Sequence, residues 1–236
     1  MQLTKTDFIQ YLNCPKSLWL RLNAPDEYPR GDFSVFLQKL TREGYEVERY
    51  VRQFFENAEG RGADFQREFE TELGFYARAD ALETVNGATV LYEIKSSTSV
   101  KTDAAHDHIK DACFQLICAE LSGRQVDAVS LVHLNGKYER VGDVIPEELL
   151  VFVDVTEKVR AIEAETTVEM NEALALLREI ELNRNGCSCR FKSRANHCDT
   201  FALFNPDIPK PSIYSLPRLS QARRSELVAS SIFDLL

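Results

Sequence analysis

Apolar positions recur along this chain in two different periods, and the switches between them mark its elements. Thr4-x-x-Asp7 has the form of a capping box, and Pro15 suits the first turn of a helix carrying Leu18, Trp19 and Leu20. Two short helices meeting at Cys14-Pro15 are therefore predicted. Residues 24–32 read as a loop from their Pro and Gly content. From Ser34 to Asn57, Leu37, Leu40, Gly44, Val47, Val51 and Phe54 fall at helical spacing, and Gly60-Arg61-Gly62 ends that helix.

The period then becomes two. Phe65–Glu72, Phe75–Glu83 and Thr89–Lys95 read as strands, with Asn86-Gly87 as a strong hairpin signal between the last two. Residues 103–122 read as a helix whose apolar side holds Ile109, Ala112, Cys113, Leu116 and Ala119. Val126–Leu134 is a further strand, Tyr138–Val141 is expected to pair nearby, and Leu150–Val155 is a short apolar run. A long helix follows over Thr156–Leu182, then an irregular tail and a helix-like ending, SQARRSELVASSIFDLL. There are no internal repeats. Strands interleaved with helices in this order predict an α/β domain with a mixed central sheet flanked by helices.

Composition narrows the class without naming a function. An apolar fraction of 44% with 28% charged residues is that of an ordinary soluble globular chain. No stretch approaches the roughly 18 consecutive apolar residues of a membrane span, so no membrane partner is expected. The opening MQLTKTDFIQYLNCP lacks a signal-peptide core, which makes the cytoplasm the expected location. In that compartment six Cys point to buried thiols, metal ligands or catalytic groups rather than disulfides. The net charge of −9 hides an asymmetry: residues 139–181 hold twelve acids and four bases, and 184–224 hold eight bases and two acids. Only a local basic face matters for phosphate contact, and Arg184, Arg190, Lys192 and Arg194 form a candidate track.

The stretch ARADALETVNGATVLYEIKSS carries the most chemistry. Pairing across the Asn-Gly turn brings Asp80 near Glu93, and Lys95, two residues on, shares Glu93's sheet face. Two converging carboxylates repel unless a cation neutralises them, and an oxygen-rich site suits Mg²⁺ or Mn²⁺. A lysine beside such a cation can orient an attacking water or stabilise charge on phosphorus. These are the parts for metal-assisted phosphodiester hydrolysis.

Asp80, twelve residues, then Glu93-x-Lys95 resembles the core of the PD-(D/E)XK nucleases, with Ala79 in the place of the proline. Gly44-x-x-x-Glu48 resembles the first motif of the RecB-like branch, and Asp111-x-x-Phe114-Gln115 its Gln motif. Cys14 and the trio Cys187, Cys189 and Cys198 frame these motifs, as in the iron–sulfur nucleases of that branch, which include CRISPR adaptation exonucleases. The tail spacing departs from that pattern, C-x-C-x₈-C standing for C-x₂-C-x₅-C. The resemblance implies a restriction-endonuclease-like sheet and a DNA nuclease acting as an exonuclease on single-stranded ends. It implies a Mg²⁺ or Mn²⁺ ion held by Glu48, Asp80, Glu93 and the Ile94 carbonyl, with Lys95 positioning water and Gln115 orienting substrate or water. It also implies a 4Fe–4S cluster on Cys14, Cys187, Cys189 and Cys198, with structural Zn²⁺ as the alternative. The corresponding segments are a helical start over 1–33, a nuclease core over 34–155, a long helix and cysteine-rich segment over 156–205, and a linker and helix over 206–236. That last helix resembles a connection to a following domain of a longer bacterial protein.

Two other classes compete. One is a catalytically silent nucleic-acid-binding module, which the intact Asp80, Glu93 and Lys95 oppose. The other is an iron–sulfur scaffold or redox protein whose sheet acids are incidental. Protein partners are not indicated by the sequence. Cys113 and Cys118, in an apolar helix, are expected to be core thiols.

Overall fold

The structure, a computed structural model, describes residues 2–29, 35–58, 61–103 and 106–235, without the side chains of 35–41, 103 and 106. The far end of the expected 24–32 loop, Ser34, Gly60, residues 104–105 and Leu236 thus lie outside the described residues, as do the side chains of Leu37 and Leu40. The chain divides into two units, one of residues 1–5 and 32–171, the other of 6–31 and 172–236.

The first unit is built on a six-stranded mixed sheet flanked by helices. Its strands are β1 (Leu3–Thr4), β2 (Ala63–Glu70), β3 (Phe75–Val85), β4 (Ala88–Ile94), β7 (Ala128–Leu134) and β8 (Leu150–Asp154). The order is β1-β3-β4-β7-β8, with β2 paired to β3. The hairpin is as the sequence reads: Asn86 and Gly87 take positive φ of 51° and 83°, and Val85 pairs with Ala88. β4 and β7 are parallel, joined through helix α4 (His108–Leu121), and β8 closes that edge antiparallel to β7.

One feature of this sheet positions the candidate site. β2 runs antiparallel along β3 from Tyr76 to Glu83 and occupies one of its edges. The other edge is shared: β4 pairs with Ala81–Val85, and β1 pairs in parallel with Phe75 and Tyr76. Between them, residues 77–80 of β3 border a notch into which the chain ends of β1 and β4 both lead.

Alternation along β4 separates two layers. Tyr92 packs with Val47, Val51 and Phe55 of helix α3 (Val35–Asn57), together with Ala81, Val132 and Leu150. Glu93 therefore points to the other face, where α4 lies. On the α3 side the buried Glu83 is matched by the Arg61 guanidinium at 2.7 and 2.6 Å and by the Tyr92 hydroxyl, which donates to it at 2.7 Å. α4 is buried on most of its surface from His108 to Ala119, including Cys113 and Cys118.

Several expected boundaries move for identifiable reasons. Residues 138–141 form no strand: the Tyr138 amide closes a turn on the Asn135 carbonyl at 3.0 Å, and its hydroxyl accepts from the Ile145 amide at 3.0 Å. They sit in the loop leading to the short helix α5 (Pro146–Leu149), because β7 pairs directly with β8. The helix expected from 103 begins at His108, where Asp107 caps it by accepting from the Ile109 and Lys110 amides. Before it lies a two-residue ladder of β5 (Thr102–Asp103) and β6 (His106–Asp107).

The long helix α6 (Thr156–Leu177) stops short of the expected Leu182. Its last turn tightens, with Arg178 and Glu179 amides bonded three residues back, and the Asn23 side chain takes the Leu177 carbonyl at 3.1 Å. These contacts belong to the second unit, which also contains most of helix α1 (Lys5–Asn13), all of α2 (Pro15–Asn23), α7 (Phe201–Phe204) and α8 (Gln221–Ala229). Its core gathers Cys14, Trp19, Leu20, Cys187, Cys189, Cys198 and Phe204.

Candidate metal and catalytic sites

Glu93 is the centre of the first site. It is 1% exposed, and both of its carboxylate oxygens are engaged. Lys5, immediately after β1, reaches Oε1 at 2.8 Å and Oε2 at 3.1 Å, and Lys95 reaches Oε1 at 2.7 Å. The Gln115 side-chain amide donates to Oε2. On α4, Asp111 and Gln115 are four apart and share a face, so Asp111 pairs with Lys95 while Gln115 meets Glu93. Asp80 stands one step beyond the last β3–β4 ladder pair, Ala81 with Tyr92. Its Oδ2 accepts from the Ile94 amide at 2.8 Å, which holds the carboxylate across the notch.

Electrostatics at this site divide the two carboxylates. Burial alone would raise Glu93, but the ammonium groups of Lys5 and Lys95 outweigh it and hold the carboxyl down to about 2. Asp80 is pushed up to about 7, by burial first and by the charge of Glu93 second, against the pull of Lys5 and the Ile94 amide. Lys95 and Lys5 are both raised, since the carboxylates beside them overcome the cost of burial. His108 is lowered by burial and by the neighbouring Lys95.

Four of the expected site residues, Asp80, Glu93, Lys95 and Gln115, therefore meet in one place, and the Ile94 backbone lies with them. Glu48 is engaged elsewhere: Arg52 contacts its Oε1 at 2.6 Å and Gln66 donates to its Oε2 at 3.1 Å. Among the described residues, the group of three or more His, Cys, Asp or Glu whose ligand atoms lie within 4.8 Å of one another is the four cysteines, so Glu48, like Asp80 and Glu93, belongs to no such group. Lys5 was not legible as a site residue.

The oxygen donors fit a hard divalent cation by one further observation. The Oε1 of Gln115 is fully buried with no hydrogen-bond partner among the described residues, next to the carboxylate its amide nitrogen contacts. An orphaned acceptor at that depth costs about 1–3 kcal/mol and is satisfied by a water or a cation.

The second site is made of sulfur. The Sγ atoms of Cys14, Cys187, Cys189 and Cys198 all lie within 4.8 Å of one another, and all four residues are buried. Cys14 precedes α2, and Cys187 precedes a 3-10 turn over Ser188–Phe191 that carries Cys189. Lys16 donates to the Gly186 carbonyl at 2.7 Å and Lys192 to the Asn13 side chain at 2.7 Å, tying the two cysteine-bearing segments together. Asn205 donates to Cys187 Sγ at 3.4 Å. Hydrogen bonds from Cys14, then Cys189 and Cys198, hold the Cys187 thiol far below its ordinary range, while Cys14 is pushed up. Four thiols this close are suited to a soft metal centre, which takes them as thiolates. His197 stands outside the set, stacked on Phe201 at 3.5 Å between ring centroids.

The basic run is already committed within its own unit. Arg184 pairs with Glu27, Arg190 with Asp207 and Lys192 with Asn13, so three of its four cations act as ties.

Comparison with known proteins leaves the family open. No protein-family profile matches the chain. No curated protein matches it. Among solved structures, the crystal structure of SSO0001 is similar over 71% of this chain and 75% of that one, at a TM-score of 0.41 and 14% identity. No helix among the described residues is long and apolar enough to cross a membrane.

Proposed function

We propose that this chain is a RecB-like PD-(D/E)XK nuclease that hydrolyses phosphodiester bonds in DNA with Mg²⁺ or Mn²⁺, as an exonuclease on single-stranded ends. The observation that carries this reading is the convergence of Asp80, Glu93, Lys95 and the half-satisfied Gln115 in the notch between β1, β3 and β4. Asp80 and Glu93 would hold the cation, with the Ile94 carbonyl beside them. When bound, such an ion polarises the phosphodiester and lowers the barrier to attack by water.

The chain's own groups have distinct tasks in this reaction. Lys95, anchored by Asp111 and Glu93, orients the water and stabilises negative charge gathering on the phosphate oxygens. Gln115 fixes Glu93 through its amide nitrogen and offers its free oxygen to the water. Attack at phosphorus breaks one P–O ester bond and leaves a phosphomonoester and a hydroxyl.

In the same reading the four cysteines hold a structural 4Fe–4S cluster, with a tetrahedral Zn²⁺ as the alternative. Such a centre is chemically separate from the oxygen site, because thiolates disfavour Mg²⁺ and Mn²⁺. End-labelled single- and double-stranded DNA, incubated with Mg²⁺ or Mn²⁺ and resolved over time on a gel, tests the activity. Stepwise shortening of the single strand, abolished by a chelator, is expected; intact label under all conditions contradicts the proposal.

A further inference from the structure

A cation bound by Glu93 meets a site that is already occupied by cations of the chain itself. Its Oε1 is shared by Lys5 and Lys95, and its Oε2 by Lys5 and Gln115. Three carboxylates, Asp80, Glu93 and Asp111, face two ammonium groups, so the site is close to neutral without any metal. One of these three donor groups must leave Glu93 before a divalent ion can take both the carboxylate and its neighbour Asp80.

The three candidates to leave are not equivalent. Gln115 is fully buried in α4. Lys95 has a second anchor on Asp111 and a side chain 19% exposed. Lys5 is the most open of the three, 28% exposed, and it sits on the first residue of α1 directly after a strand of only two residues. The flexible four-carbon stem lets the Lys5 ammonium turn toward solvent once another cation takes its place at Glu93.

We infer that Lys5 is an internal counter-ion of the cleft, which holds the Glu93 carboxylate in position until a divalent cation displaces it. Lys5 is on this account a positioning residue rather than a catalytic one, and it sets the cation concentration at which the site fills. The inference rests on the proposed Mg²⁺ or Mn²⁺ site. A unit charge this near a bound cation opposes it strongly even with solvent screening, so removing it should improve affinity by about tenfold or more.

Titration calorimetry with Mn²⁺ on the full chain tests this without reference to activity. Lys5→Met keeps the apolar stem and removes the charge, and it should bind Mn²⁺ at least tenfold more tightly than wild type. Lys5→Arg keeps the charge and should stay close to wild type, which separates competition from altered packing. A cooperative thermal melt establishes that each variant folds; should Lys5→Met not fold, Lys5→Gln takes its place in the same comparison. Unchanged or weaker Mn²⁺ affinity in the neutral variant overturns the role of Lys5 and leaves the metal site standing. Absence of Mn²⁺ binding in wild type and neutral variant alike overturns both.

Discussion

The buried amide of Gln115 donates from α4 to the carboxylate of Glu93 on β4 and leaves its own oxygen without a donor. The pair joins a helix to the sheet, and it spends half of a buried amide's bonding capacity on something the described residues do not supply. Removing the amide should therefore affect chemistry more than folding. In Gln115→Leu, loss of a bond to a charged group costs about 1.5–3 kcal/mol, while removal of the orphaned oxygen returns about 1–3 kcal/mol. The two nearly offset. Urea unfolding should show a stability change of roughly 1 kcal/mol or less, alongside a fall in cleavage rate of tenfold or more. A large loss of stability would make Gln115 a structural group.

Asp80 makes stability depend on pH in a stated window. Its carboxyl is raised to about 7 in the folded chain, from an ordinary 3.8. Between those values the folded state holds a proton that the unfolded chain has released, so its contribution to stability falls as pH rises from about 4 to about 7. Glu93, held down to about 2 from 4.5, acts in the opposite sense: its contribution is present above 4.5 and lost as pH falls through 2. Asp80→Asn removes the first dependence only. In metal-free buffer its Tm should exceed that of wild type by roughly a few degrees at pH 8 and match it near pH 4. An advantage that persists at pH 4 would mean that the substitution acts through something other than charge.

The four framing cysteines should behave as one unit, and the two helix cysteines as none of it. Cys14→Ser, Cys187→Ser, Cys189→Ser and Cys198→Ser should each lose bound metal and destabilise the second unit, since the centre joins segments more than 170 residues apart. Cys113 is pushed up to about 11 by burial, and Cys118 is likewise raised, so both stay neutral thiols in α4. Cys113→Ser and Cys118→Ser should retain the metal. Elemental analysis of anaerobically purified protein reads the result. Four irons and four sulfides per chain are expected for the cluster and one zinc for the alternative, whereas four freely reactive thiols without metal would remove the centre altogether.

What was legible in the sequence follows from how local each signal is. The Asn86-Gly87 turn allows one register, and that register carries Asp80 toward Glu93 with no information from elsewhere. Asp111 and Gln115 came from a motif resemblance that helical spacing makes coherent, and the four cysteines from their placement at the two ends of the motifs, apart from Cys113 and Cys118. Lys5 was invisible because its partner is 88 residues away and the two-residue strand that delivers it has no period to detect. The early end of α6 depends on Asn23, also distant in the chain. Glu48 was assigned by motif order, a signal blind to Arg52 and Gln66, which hold it in the structure.

The proposed metal-dependent phosphodiesterase site of Asp80, Glu93 and Lys95 is tested most directly by the initial rate of single-stranded DNA cleavage by wild type and Lys95→Ala at saturating Mn²⁺. In the proposed reaction Lys95 carries the charge that stabilises the transition state, so its loss should lower the rate by about 10²–10³-fold with a preserved thermal melt. Equal rates in the two proteins, or no Mn²⁺-dependent cleavage by the wild type, would contradict the proposal.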